Sequence, residues 1–388
     1  MMPARIEGKA VWKGPEVDYR AEMMHRFSDA EVAEIDAALK ACGERDIPDI
    51  TADTFVLPTM GPTMRRLRGE LLDGRGVVLM RGFPRERYSA DDMARIYVGL
   101  GAQFGQPVSQ SWQGQLLGSV IDISDVVEKV RGYNAGGGQN FHIDGSACDI
   151  VALMCLRSAK AGGASRIVSV AALHNAMLDS RPDLLETLYR GYYHRNHEMD
   201  ALHSLMPVQS DHRLPFLSQR DGRVTCLASG CIRYAVQYGG VTMSPLEVEA
   251  YDEWQRLARS EEFFLDMNFE EGDIQFLNNR SIMHARTDYE DHDPVARRRH
   301  MLRLWLRVPE WPAREPNQIW MNEIDCRHWQ DKNRTPFMEL PSRYLAELTA
   351  TQEQRQRDRT VLKPDVPSGK YPSARGWQEA REAAKVDA

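Results

Sequence analysis

Phe141-His142-Ile143-Asp144-Gly145 sets one imidazole and one carboxylate two residues apart. In a strand, or at its end, side chains i and i+2 leave on the same side. His142 and Asp144 can therefore aim at a single point. Two such groups do not complete a metal site, and a pair of this kind is more often only the polar edge of a strand. A 2-His-1-carboxylate triad needs one more histidine and leaves positions open for substrate and O2.

Outward from this stretch the sequence is rich in β signals. Short apolar runs occur at 116–123, 150–156, 166–170, 213–217, 223–228, 273–277 and 301–308, punctuated by Gly, Asp, Asn and Pro. Their spacing predicts a β-barrel or jelly roll. Helical inserts are expected at 171–190 and at 244–260, the second capped by Ser244. The N-terminal third is mixed. Ser28-Asp29-Ala30-Glu31 has the form of a capping box before a helical pattern that stops at Gly43. Further helices are expected at 62–73 and from Ser89, with a buried strand at 76–80 between them. The tail beyond 310 is rich in charge and proline, with one helix expected near 341–356. Its Trp311, Trp320 and Trp329 predict that its first part packs on the body.

The bulk properties narrow the function. The chain has 388 residues, 42% hydrophobic and 27% charged, enough for a large core. A net charge of −7 and a pI near 5.9 speak against nucleic acid and anionic membrane surfaces. No apolar run reaches the length of a membrane span, and the first residues lack a signal-peptide core, so a cytoplasmic protein is expected. The six cysteines are scattered without a CxxC pair, which reads as reduced, mostly buried thiols.

A second histidine lies in Gly272-Asp273-Ile274-Gln275-Phe276-Leu277-Asn278-Asn279-Arg280-Ser281-Ile282-Met283-His284-Ala285-Arg286, where a strand leads through a turn to His284. Arginines then enter an apolar strand in Arg297-Arg298-Arg299-His300-Met301-Leu302-Arg303-Leu304-Trp305-Leu306. Period two puts Arg299, Met301, Arg303 and Trp305 on one face. A buried arginine needs an anion, and a dicarboxylate would match the guanidinium fork. Arg297 and Arg298 are read as solvated surface charge. His194, His197, Glu198 and His203 cluster without the HExxH spacing and read as a lid or pocket wall. Tyr133, Asn134, Gln139 and Asn140, beside the first ligand, are expected substrate contacts.

Taken in order, GRGVVLMRGFP (74–84), GAQFGQPVSQ (101–110), FHIDG, AKAGGAS (159–165), the His284 stretch and RRRHMLRLWL (297–306) resemble the TauD/TfdA-like family of Fe(II)/2-oxoglutarate-dependent dioxygenases. The resemblance covers roughly residues 74–308. It implies a mostly β chain with flanking helices (α+β), folded as a double-stranded β-helix, a jelly roll of the clavaminate synthase-like type. It implies a helical extension at 1–73, the oxygenase domain at 74–308, and a C-terminal tail at 309–388 packing on the surface. His142, Asp144 and His284 would be the iron ligands. Arg299, fifteen residues after His284, would take the distal carboxylate of 2-oxoglutarate, with Arg298 as the alternate. Ser165 would hydrogen-bond the co-substrate, and Arg303 would touch either the co-substrate or an anionic substrate. The implied reaction consumes O2 and 2-oxoglutarate, releases succinate and CO2, and oxidises a small organic molecule, by hydroxylation first of all. Desaturation, epimerisation or cyclisation, or a silent ligand-binding role, are the alternatives. The family leaves a homo-oligomer open.

Overall fold

Strand patterning and helix amphipathicity sort the chain into two facing sheets with helices on their outer sides. The computed structural model describes residues 3–145, 147–320, 323–358, 360 and 362. The larger sheet runs β1 (Met24–Arg26), β2 (Val77–Arg81), β12 (Ile274–Asn278), β6 (Ile150–Arg157), β15 (His300–Arg307) and β3 (Gln106–Pro107), with β4 (Leu117–Val120) also pairing β15. The smaller sheet runs β11 (Leu265–Met267), β8 (Ser165–Ser169), β13 (Ile282–Arg286) and β5 (Gln139–His142). Two further pairs are β9 (Leu217–Arg220) with β10 (Arg223–Cys226), and β7 (Ala161–Gly162) with β14 (Tyr289–Glu290).

Alternation along the strands decides which side chains reach which layer. Leu302, Leu304 and Leu306 join Val78, Met80, Met154 and Phe276 in a core shared with the helices Asp29–Cys42, Gly61–Asp73 and Ala90–Ala102. On the far side of the small sheet, Val168 and Met283 pack with the helices Val170–Ser180, Pro182–Arg190 and Pro245–Ala258. Between the sheets, Val77, Val151, Leu277 and Trp305 meet Ile167, Met267 and Ile282. This middle layer is apolar at one end and polar at the other, where the site lies.

The local signals at 28–31 act as expected. Ser28 accepts from the Glu31 N–H and Glu31 reaches back, and the same box recurs at Ser89 and Ser244. Residues before 74 also add a strand: β1 pairs parallel with β2. The helix expected at 171–190 is two helices, Val170–Ser180 and Pro182–Arg190. Pro182 cannot donate an interior hydrogen bond but fits the first turn of a new helix. The strand expected at 213–217 begins only at Leu217, and Leu214 makes an isolated bridge with Tyr192.

The tail packs through its tryptophans. Trp311 and Trp329 are buried, and the Trp329 indole donates to the His203 carbonyl at 2.8 Å. Asp325, on the helix Glu323–Asn333, accepts from the Ser204 hydroxyl and the Leu205 N–H. The tail thus braces the 197–205 segment, one wall of the main cavity. No helix among the described residues is long and apolar enough to cross a membrane.

Candidate metal centre

β5 and β13 are neighbours in the small sheet, and their register pairs His142 with His284. The two rings lie 4.4 Å apart between centroids. Asp144 follows β5 by two residues, so its carboxylate returns to the same side. One ligand atom from each of His142, Asp144 and His284 lies within 4.8 Å of the other two, the one such group of three or more among the described residues.

The surroundings fix these groups in ligand form. The Nδ1–H of His142 faces the Asn140 carbonyl at 2.8 Å, which leaves Nε2 with its lone pair, 3.8 Å from Asp144 Oδ1. His284 is buried, and its Nδ1 has no hydrogen-bond partner among the described residues. Burial, then the neighbouring His142, pushes the His284 imidazolium down to about 3. Burial lowers His142 as well, so both rings are neutral near pH 7. Burial opposes ionisation of Asp144, but the Arg303 charge first of all, with the Trp305 N–H, helps hold the carboxyl below its usual range. Two neutral imidazoles and one carboxylate, converging and largely buried, are the donor set of a facial triad, and the site fits Fe(II).

Asn279 clamps the backbone of Asp144, accepting its N–H at 2.9 Å and donating to its carbonyl at 3.2 Å. The Asp144 Oδ2 accepts from the Trp305 indole at 2.7 Å, and Arg303 Nη1 stands 3.5 Å from both carboxylate oxygens. Arg303 is itself held by Gln110 at 2.7 Å and lies over the Tyr133 ring at 4.2 Å.

Beside the triad a small cavity is lined by Ser165, His284, Arg286, Arg299, Met301 and Arg303. The face read from the sequence, Arg299 with Met301 and Arg303, opens here. Arg299 is buried. Its guanidinium donates to the Gly163 carbonyl at 3.3 Å and has no carboxylate partner among the described residues. Gly163 has a positive φ of 74°, and a Cβ there would lie 3.0 Å from Arg299 Nε. Burial, then repulsion from Arg286, pushes the Arg299 guanidinium down to about 10. Arg286 donates to the carbonyls of Gly137 and Ala135 and so holds the glycine-rich loop against β13. Ser165 donates to Gln275 at 3.0 Å.

Arg298 corrects the sequence reading. It is buried, not solvated, and its guanidinium grips Asp125 with two bonds of 2.6 and 2.8 Å, plus the carbonyls of Asp122, His292 and Asp293. It is therefore committed to structure and faces away from the cavity. Arg297 is exposed, as read. Arg298→Ala should lower the unfolding free energy by about 2–3 kcal/mol, the scale of lost charge-assisted bonds, and leave the 2-oxoglutarate requirement unchanged. Denaturant unfolding and co-substrate titration of one sample test both halves.

The main cavity, about 390 Å³, opens on the other side of the triad. Tyr133, Gln139 and Asn140 line it as expected, and so does His197. Asn134 does not: its amide donates to the carbonyls of Ser119 and Ile121. His194 is fully buried without lining the cavity, and His203 stacks on Trp112 at 4.2 Å. Arg131 and Gln255 also line it, and no motif or spacing points to either. Arg131 is oriented by Asp200 at 2.6 Å. Gln255 donates to the Phe141 carbonyl, and its buried Oε1 has no partner among the described residues.

A model of the family described as "Taurine catabolism dioxygenase TauD, TfdA family" matches residues 43–305. The chain belongs to the TauD/TfdA family. As a member it is an Fe(II)- and 2-oxoglutarate-dependent dioxygenase that oxidises a small organic molecule. Among its TauD/TfdA relatives is the taurine hydroxylase-like protein SAT17 of Stachybotrys chartarum, 27% identical over 348 residues, 84% of this chain and 87% of that protein. FR-33289 synthase of Streptomyces rubellomurinus is 25% identical over 316 residues, 78% of this chain and 90% of that one. The jelly-roll fold is shared with asparagine oxygenase in complex with Fe(II), hydroxyasparagine and succinate (TM-score 0.56, 13% identity, 73% of this chain and 93% of that one). It is shared equally with the non-heme iron oxygenase OrfP in complex with Fe and α-ketoglutaric acid (TM-score 0.54, 14% identity, 74% and 93%).

Proposed function

We propose that His142, Asp144 and His284 hold the Fe(II), that Arg299 with Ser165 receives the distal carboxylate of 2-oxoglutarate, and that the larger cavity takes the substrate. The observation that carries this reading is a converged triad beside a buried arginine with no carboxylate of its own. When bound, the metal supplies the activation of O2 that couples decarboxylation of 2-oxoglutarate to substrate oxidation. This chain's own residues do the rest. Arg299 supplies an anion site at a fixed distance from the triad. Arg303 lines both cavities and stands beside the Asp144 carboxylate. The apolar middle layer keeps water from the triad's inner side.

On the substrate side, the cavity is of small-ligand size. Its wall carries both charge signs, Arg131 paired with Asp200 and, beside them, Arg233 and Asp252, which favours a compact polar substrate. We assign residues 74–308 to the oxygenase unit, with 1–73 and 309–388 as flanking segments. The six cysteines are free and five are buried, which favours a reducing compartment such as the cytoplasm. The acidic balance gives no support to nucleic-acid binding.

The test is an anaerobic titration of the Fe(II)-loaded protein with 2-oxoglutarate, followed by the visible charge-transfer absorption of the chelate. Saturable absorption is the expected result. A folded, iron-loaded sample that shows none would remove the co-substrate assignment.

A further inference from the structure

We infer that Trp305 is a positioning residue for the metal centre: its indole N–H selects which oxygen of Asp144 is left for the ion. The inference rests on reading Asp144 as a ligand, and the experiment below separates the two. The backbone of Asp144 is held on both sides by Asn279. What remains free is rotation of the carboxylate about its last bond, a broad torsion with little preference of its own. Arg303 does not settle that rotation, because its Nη1 is 3.5 Å from either oxygen. Trp305 does. Its Nε1 is 2.7 Å from Oδ2, and an indole has a single donor and no acceptor.

Oδ2 is thereby occupied, and Oδ1 is the oxygen left 3.8 Å from His142 Nε2. Both partners are buried, so water cannot readily replace the bond. The consequence is chemical. A carboxylate free to swing could offer both oxygens and occupy a position that a chelating co-substrate and O2 need. A carboxylate pinned through one oxygen presents the other alone. Hydrogen-bonding groups behind metal ligands commonly carry a large share of the affinity in this way.

Trp305 also packs with Val77, Val151 and Leu277, so simple filling of the core is the competing role. Trp305→Phe keeps most of that packing and removes the N–H. A benzothienylalanine placed at position 305 by codon reassignment keeps the shape of the indole and replaces the N–H with sulfur. Co(II), an oxygen-stable stand-in for Fe(II), is titrated against a chromophoric chelator without co-substrate. Both variants should bind the ion about 10–100-fold more weakly than the parent protein, with thermal unfolding of the benzothienyl variant lowered no more than that of Trp305→Phe. Parental affinity in the benzothienyl variant would overturn the positioning role and leave Trp305 as packing. Asp144→Ala is run alongside: if it too binds Co(II) as the parent does, the reading of Asp144 as a ligand fails instead.

Discussion

His284→Ala should leave a folded protein that neither retains Fe(II) nor releases succinate. His284 sits in the middle of β13, between β5 and β8, where the backbone ladder is independent of the imidazole. Neither a hydrogen bond nor an ion pair ties its Nδ1 into the fold. Alanine therefore costs little in structure and removes one of three donors. If a protein metal site binds with on the order of 10 kcal/mol, one donor of three is about 3 kcal/mol, or more than 100-fold in affinity. Asp144→Ala is a less clean probe, because it strands buried Arg303 without its carboxylate. Circular dichroism should match the parent, while iron content after desalting and the 2-oxoglutarate absorption are both lost. Retention of iron by His284→Ala would show that the ion is held elsewhere. Since burial already keeps both imidazoles neutral, proton competition is not an alternative explanation for a loss at pH 7.

Much of this centre is legible in the sequence because its parts are local. Two residues of spacing bring His142 and Asp144 to one side, and two-residue periodicity carries Met301, Arg303 and Trp305 to the inner face of β15, with Arg299 just before that strand. The capping boxes at Ser28, Ser89 and Ser244 need only three residues to declare themselves. What stays hidden depends on partners far along the chain. Arg298 reads as surface charge until Asp125, 173 residues earlier, is brought against it. Asn134 reads as a substrate contact until its amide is seen to serve two carbonyls of the β4 region. The helix Cys231–Gly239 is missed because it is short, with Ile232 and Ala235 as its buried residues. Its contribution to the cavity, with Arg131 and Gln255 opposite, exists only in the folded chain. The break at Pro182 was readable from the proline alone.

Arg299→Ala should raise the 2-oxoglutarate requirement by roughly 30–150-fold, equivalent to about 2–3 kcal/mol for one charge-assisted pair. The environment of Arg299 sharpens this expectation. Its guanidinium is out of water, repelled by Arg286, bonded to the Gly163 carbonyl and placed over the Tyr289 ring, with no carboxylate partner among the described residues. A buried cation in that state destabilises the empty protein, since its lowered pKa means that the charged form is disfavoured by folding. Alanine should therefore not reduce the stability of the co-substrate-free protein, and should raise it if the cavity relaxes. That sign is opposite to Arg298→Ala, where a satisfied network is cut, although the two residues are adjacent. Arg299→Lys keeps a cation but loses the two-pronged match to a carboxylate, so it should fall between alanine and the parent. Iron binding should be normal in both variants, because Arg299 lines the small cavity beside the triad rather than standing against Asp144. The measurement is the concentration of 2-oxoglutarate at half-maximal absorption, paired with thermal unfolding of the same samples. An unchanged requirement in Arg299→Ala would assign the distal carboxylate to another cation of that cavity, with Arg286 and Arg303 the only other guanidinium groups lining it among the described residues.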